Sequence, residues 1–167
     1  MTPADLLTDA LSRVLEDVES VLDGITDDAL THRPTADANS IAWLVWHLTR
    51  VQDDHIADVA GTDQVWTGDG YAERFALPLG TGDIGYGHSS EQVGQVRAPA
   101  ALLMDYYRAT HARTLAYVAT VTPDDLDHVV DTRWDPPVTL GVRLVSVVND
   151  CTQHVGQAAY VRGLLAG

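Results

Sequence analysis

Val147-Val148-Asn149-Asp150-Cys151-Thr152-Gln153-His154-Val155-Gly156-Gln157 decides the fold reading of this chain. Its apolar residues recur every three or four positions, the period of an amphipathic helix and not of a strand. Followed outward, the pattern predicts a helix over 140–165, capped by Thr139, with Leu140, Leu144, Val147, Val148, Cys151, Val155, Ala158 and Leu165 on the core stripe. Asp150 and His154 are one helical turn apart and emerge on the same face. Arg143 and Gln157 share that flank. An acid and an imidazole at this spacing can hold one divalent metal. Cys151, inside the stripe, reads as a small buried apolar residue and not as a nucleophile.

Three more helices of similar length precede this one. Residues 3–23 carry Leu6, Leu7, Leu11, Val14, Val18 and Val21 on one side and Asp9, Glu16, Asp17 and Glu19 on the other, with Thr2-Pro3 to start and Gly24 to stop. Residues 39–60 begin at an Asn39 or Ser40 cap and end at Gly61. His47 falls at the edge of this helix's stripe, beside Trp43, Arg50 and Asp54, where it suits either a ligand facing a cleft or a half-exposed ordinary histidine. Residues 99–120 start at Pro99 and place His111 well inside the stripe, as a histidine satisfied in the core or supporting the site from behind, with substrate contact the alternative.

Two connectors share a pattern: Thr26-Asp-Asp-Ala-Leu-Thr-His32 and Thr122-Pro-Asp-Asp-Leu-Asp-His128 each put a Thr cap before acids, which predicts a short helical turn. His32 and His128 are expected at the surface. Between residues 61 and 97 the helical period vanishes, and glycines alternate with Trp66, Tyr71, Phe75 and Tyr86. Short helices are expected at 71–76 and 90–96. A connection of this length and aromatic content is usually functional, and Trp66 to His88 is the candidate wall over a site. Gly80-Thr-Gly-Asp-Ile-Gly85 matches G-x-G-x-x-G, but no strand precedes it and it is no phosphate loop. Pro136-Pro137 make 129–138 extended. Four long helices with one long irregular connection between the second and third give an all-α four-helix bundle, with candidate ligands on the facing flanks of two helices.

Composition sets the outer bounds. A chain of 167 residues supports one well-buried core and is short for two, so 1–167 is taken as a single domain. The net charge is -14 and all ten basic residues are Arg, which argues against nucleic acid and anionic membranes as partners. No run approaches the roughly 18 apolar residues of a membrane span, and the first residues lack a basic signal region, so a cytoplasmic protein is expected. One cysteine excludes an internal disulfide and a thiolate-only zinc site. A metal here must use His and carboxylate, and two imidazoles with one carboxylate leave positions open for chemistry.

His47, the Asp150-x-x-x-His154 pair and Gly156-Gln157 identify the chain as a member of the DinB-like superfamily of four-helix metalloproteins. Many members carry His where Asp150 stands; the maleylpyruvate isomerase branch uses an acid there. The chain is similar most of all to actinobacterial mycothiol S-transferases, through Asn39-Ser-Ile-Ala-Trp-Leu-Val-Trp-His47, Arg50-Val-Gln-Asp53, Gly85-Tyr-Gly-His88, Val96-Arg-Ala-Pro99, Trp134-Asp-Pro-Pro-Val-Thr139 and Val142-Arg-Leu-Val-Ser146. The resemblance implies a DinB-like bundle and a divalent metal on His47, Asp150 and His154, zinc first, with iron, nickel or manganese suiting the same donors. It implies mycothiol as thiol co-substrate and a small electrophile as its partner in a detoxifying conjugation. Trp43, His111, Arg143 and Gln157 are the candidates for contact with thiol or cofactor. A mycothiol-dependent isomerase, a metal-dependent hydrolase and a non-catalytic small-molecule-binding bundle are the alternatives, and a homodimer is left open.

Overall fold

The computed structural model describes residues 1–165. Four long helices carry the molecule: α1 (Pro3–Leu22), α3 (Ile41–Ala60), α7 (Ala100–Val118) and α8 (Leu140–Leu165). Short helices fill the connections: α2 (Asp27–Thr31), α4 (Val65–Gly68), α5 (Tyr71–Phe75) and α6 (Ser90–Gln95). The starts follow the expected chemistry. Thr2 and Asp5 form a reciprocal capping box ahead of Pro3, and the Ser40 hydroxyl accepts from Trp43 N. Gly61 ends α3 at φ +66°, a left-handed position that Gly adopts without penalty.

α1 packs on α7 and α8, and α3 packs on the same two, so α3 stands diagonally across the bundle from α1. The chain is an all-α four-helix bundle with its long irregular connection between the second and third long helices, as expected. Only the ends of the segment 129–138, expected to be extended throughout, are strand: β1 (Val129–Asp131) and β2 (Val138–Thr139) pair antiparallel, and residues 133–136 bend the chain back between them. The second Thr-capped connector closes as a 3-10 turn, Pro123–Asp127, where the first makes the α-turn of α2. His32 and His128 are exposed. On α8, Val161 is buried near the end of the stripe while Leu165 is exposed.

α3 departs from the amphipathic reading. Every residue from Ser40 to Asp53 is buried, including Arg50, Gln52 and Asp53. The glycine-rich connection covers the face left outward by the bundle, and it is anchored there by polar groups. Asp53 accepts from Val65 N, Trp66 N and the Tyr106 hydroxyl, each at 2.8 Å. Arg50 donates from Nε to the Asp83 carbonyl (3.2 Å) and from Nη1 to Gln64 Oε1 (2.8 Å), with its guanidinium 4.9 Å from the Trp66 ring. Burial pushes the Asp53 pKa up, against the hydrogen bonds from Trp66 and Tyr106 that pull it down. His47 is therefore not at a half-exposed edge; it is 2% exposed.

Candidate metal centre

α3 and α8 pack against each other, and His47 meets Asp150 and His154 across their interface. One nitrogen or oxygen from each of the three lies within 4.8 Å of the others. The His47 and His154 rings stand edge to face with centroids 4.8 Å apart. His154 Nε2 is 3.5 Å from Asp150 Oδ1.

The tautomer of His47 follows from its partner. Nδ1 lies against the Ile84 carbonyl, which only accepts, so the proton is on Nδ1 and the lone pair is on Nε2. The connection comes this close because residue 85 is glycine. A Cβ there would lie 2.6 Å from His47 Nδ1 and 3.2 Å from both Trp43 and Trp46, at φ +98°. Trp43 stacks on one face of the His47 ring, with centroids 4.5 Å apart and planes 16° from parallel. Its indole N–H donates to His88 Nδ1 (3.0 Å), and His88 Nε2 donates to the Asp83 carboxylate at 2.9 Å. Asp83 also accepts from Gly85 N at 2.8 Å. His47 is thus clamped between a ring and a peptide, each held by the same short loop.

Two observations show that these residues suit a cation. Asp150 Oδ2 is buried with no hydrogen-bond partner, although a buried carboxylate oxygen is normally satisfied. Burial lowers the His47 pKa, which keeps its imidazole in the neutral form that ligates. His154 is the other way round: hydrogen bonding to Asp150 raises its pKa, so a proton and a cation compete for the space between Nε2 and Oδ1. Two imidazoles and one carboxylate are a borderline donor set that suits several divalent transition metals.

The remaining sequence candidates separate. Gln157 Oε1 lies 3.2 Å from His154 Nδ1 and orients that ring, and Trp43 orients His47. Arg143 is two turns before Asp150 and bonds His55 Nδ1 (3.1 Å) and Asp131 Oδ2 (2.9 Å), beside the cluster and not in it. His111 is buried on α7 beside Tyr107, in the field of Glu19 from α1. Cys151 is fully buried and burial drives its thiol pKa far up, so it is no nucleophile. The expected aromatic wall is present: Tyr86, 61% exposed, stands edge-on to His47 at 5.4 Å. Ile84, Gly85 and His88 lie within the Trp66–His88 connection expected as a wall, but residue types alone did not mark their individual parts in holding His47 and Trp43, and they did not mark His55 at all. The only local signal was a glycine beside a Gly-His pair, and for His55 its place two turns beyond His47 on the same helix.

A family model described as Mycothiol-S-transferase matches residues 6–167. The chain belongs to the mycothiol-S-transferase family. That family lies within the DinB-like superfamily, as the pattern around His47 and His154 implied. A crystal structure described as the conserved protein of locus from Enterococcus faecalis is similar over 100% of this chain and 99% of its own, with 34% identity and a TM-score of 0.93. No curated protein matches the chain. Membership supports a mycothiol S-transferase-like function and mycothiol as the thiol. Among the described residues no helix is long and apolar enough to cross a membrane.

Proposed function

We propose that the protein is a divalent-metal-dependent thiol S-transferase that conjugates mycothiol to small electrophiles at the His47–Asp150–His154 cluster between α3 and α8. The observation that carries this reading is the cluster of His47, Asp150 and His154, with a buried and unpartnered carboxylate oxygen, inside a chain of this family. A divalent cation bound there supplies the positive charge that deprotonates a thiol, whose free pKa of about 8.5 leaves it mostly protonated at neutral pH.

The chain's own groups do the rest. His47 presents Nε2 because Ile84 holds Nδ1, and His154 presents Nε2 because Gln157 holds Nδ1. Trp43 and the peptide at Gly85 keep His47 from rotating and exclude water from behind it. Tyr86 forms an aromatic edge at the mouth against which an apolar electrophile can rest. In the transfer itself, sulfur bonds to the electrophilic carbon, the leaving group departs with the bonding electron pair, and the thiol proton passes to solvent.

Protein purified without an affinity tag tests the reading. About one divalent ion per chain is expected in the wild type and a stoichiometry near zero in an Asp150→Ala, His154→Ala double variant. With mycothiol and a haloalkyl acceptor, conjugation by the double variant should fall at least about 100-fold. Equal metal content in both proteins removes the centre; a metal-loaded wild type no faster than the uncatalysed reaction removes the transferase.

A further inference from the structure

Asp83 stands in the irregular stretch between α5 and α6, and two paths to His47 begin at its carboxylate. The first runs through one peptide group. Asp83 Oδ1 accepts from Gly85 N at 2.8 Å, and the carbonyl of that same peptide unit, on Ile84, accepts from His47 Nδ1. The unit is trans, so its N–H and C=O point in opposite directions and it stands between the carboxylate and the imidazole. A negative charge at one end of such a chain polarises the peptide and makes its carbonyl a stronger acceptor. The imidazole, pulled at Nδ1–H, becomes a stronger ligand at Nε2. Gly85 and His47 are both buried, so water screens little of this field.

The second path runs through side chains. His88 Nε2 donates to the two Asp83 oxygens at 2.9 and 3.0 Å, His88 Nδ1 accepts from Trp43 Nε1 at 3.0 Å, and Trp43 lies on the face of His47. The His88 side chain is 3% exposed and its tautomer is fixed from both ends, because the indole only donates and the carboxylate only accepts. Asp83 is itself tied down. Its carbonyl accepts from Nε of the buried Arg50, whose Nη1 is held by Gln64 and Tyr106. Metal-ligating histidines commonly donate their second N–H straight to a carboxylate. Here a peptide unit is inserted between the two, and an imidazole–indole pair carries the same carboxylate to the face of the ring.

We propose that Asp83 is a positioning residue for the metal centre: through the Ile84–Gly85 peptide and the His88–Trp43 pair, its carboxylate fixes the His47 ring and strengthens it as a ligand. The inference rests on the reading of His47 as a ligand, and it adds the group that tunes it. A neutral acceptor at position 83 would hold the turn without supplying the charge, which separates tuning from mere loop structure.

Two measurements test this: zinc affinity in competition with a chelator, and nitrogen-15 NMR of the imidazoles in the metal-free protein. Asp83→Asn keeps an oxygen for Gly85 N and His88 Nε2 and removes the charge. Asp69→Asn removes the same charge from an exposed position on the same connection. His88→Gln cuts the side-chain path and leaves the Asp83–Gly85 turn intact. Zinc should bind about tenfold more weakly to Asp83→Asn, about fivefold more weakly to His88→Gln, and within about twofold of wild type to Asp69→Asn. In the metal-free protein the His47 Nδ1–H signal should move upfield in Asp83→Asn, the mark of a weaker hydrogen bond to Ile84, in a variant whose thermal melt shows it folded. Wild-type zinc affinity or an unmoved His47 signal in Asp83→Asn overturns the proposal, and so does an equal loss in Asp69→Asn, which would make the effect one of net charge. Unchanged affinity in His88→Gln overturns the side-chain path. A wild type that binds no zinc, with a His47 signal that still moves in Asp83→Asn, removes the metal centre and keeps the action of Asp83 on the ring.

Discussion

At residue 85 the side chain is absent for a reason that can be measured. An alanine Cβ would meet His47 Nδ1 at 2.6 Å and the Trp43 and Trp46 rings at 3.2 Å, and Trp43 is itself stacked on the imidazole, which limits its room to move. The φ of +98° adds backbone strain for any L residue. Gly85→Ala must therefore move the loop away from His47 or turn the imidazole, and in either case Nδ1 loses the Ile84 carbonyl. Groups that orient a metal-ligating histidine are typically worth 10- to 100-fold in affinity, so the variant should bind zinc about 10- to 100-fold more weakly in competition with a chelator. Unchanged affinity would show that the loop covers the site without orienting it. The ligands themselves were legible in the sequence because Asp150 and His154 share a helical face and His47 stands on a second helix. The loop's part was not, since Ile84 and Gly85 reach His47 across 37 residues or more of chain with no periodic signature.

The long helices form where their caps and apolar periods placed them, and the misreading of α3 shows the limit of that method. A wheel assigns polar positions to solvent, yet Arg50 and Asp53 are buried because the glycine-rich connection supplies partners for them, and Gln52 is buried because Thr114 of α7 does. α4 escaped notice for the complementary reason: its first amides are satisfied by Asp53, a residue of another helix, and its own sequence carries no cap. Asp53 is thus the pin between the bundle and the connection that clamps His47. Asp53→Ala leaves two backbone amides and the Tyr106 hydroxyl without their acceptor and the Arg50 guanidinium without its nearest carboxylate. Breaking a buried ion pair from one side costs about 3–5 kcal/mol. Urea denaturation should show a loss of that size, against less than about 0.5 kcal/mol for Asp37→Ala on the exposed turn before α3. A small loss at Asp53 would mean that the connection holds its place by apolar packing alone.

Over the whole molecule, 24 acidic residues face ten arginines. Two opposed salt effects follow. Salt screens the attractive surface pairs, Arg13–Asp9, Arg74–Asp105, Arg108–Glu19 and Arg113–Asp69, each with both partners at least 41% exposed. Such pairs contribute only about 0–1 kcal/mol each. Salt also screens the mutual repulsion of a net charge of -14, which acts between every pair of unmatched carboxylates and destabilises the compact state. The Debye length shortens from about 30 Å at 0.01 M to about 8 Å at 0.15 M, across the range of separations within a domain of this size, so the repulsion loses more than the contact pairs do. Stability at pH 7.5 should rise over that interval by about 1 kcal/mol, or about 2–4 °C in Tm. Near pH 4.5, the sequence pI, the net charge is close to zero and the same addition of salt should leave Tm flat or lower it. Thermal melts at the two pH values, with the metal chelated so that occupancy does not vary, make the comparison. A fall in Tm with salt at pH 7.5 would place the surface ion pairs above the net repulsion and reverse the order of the two effects.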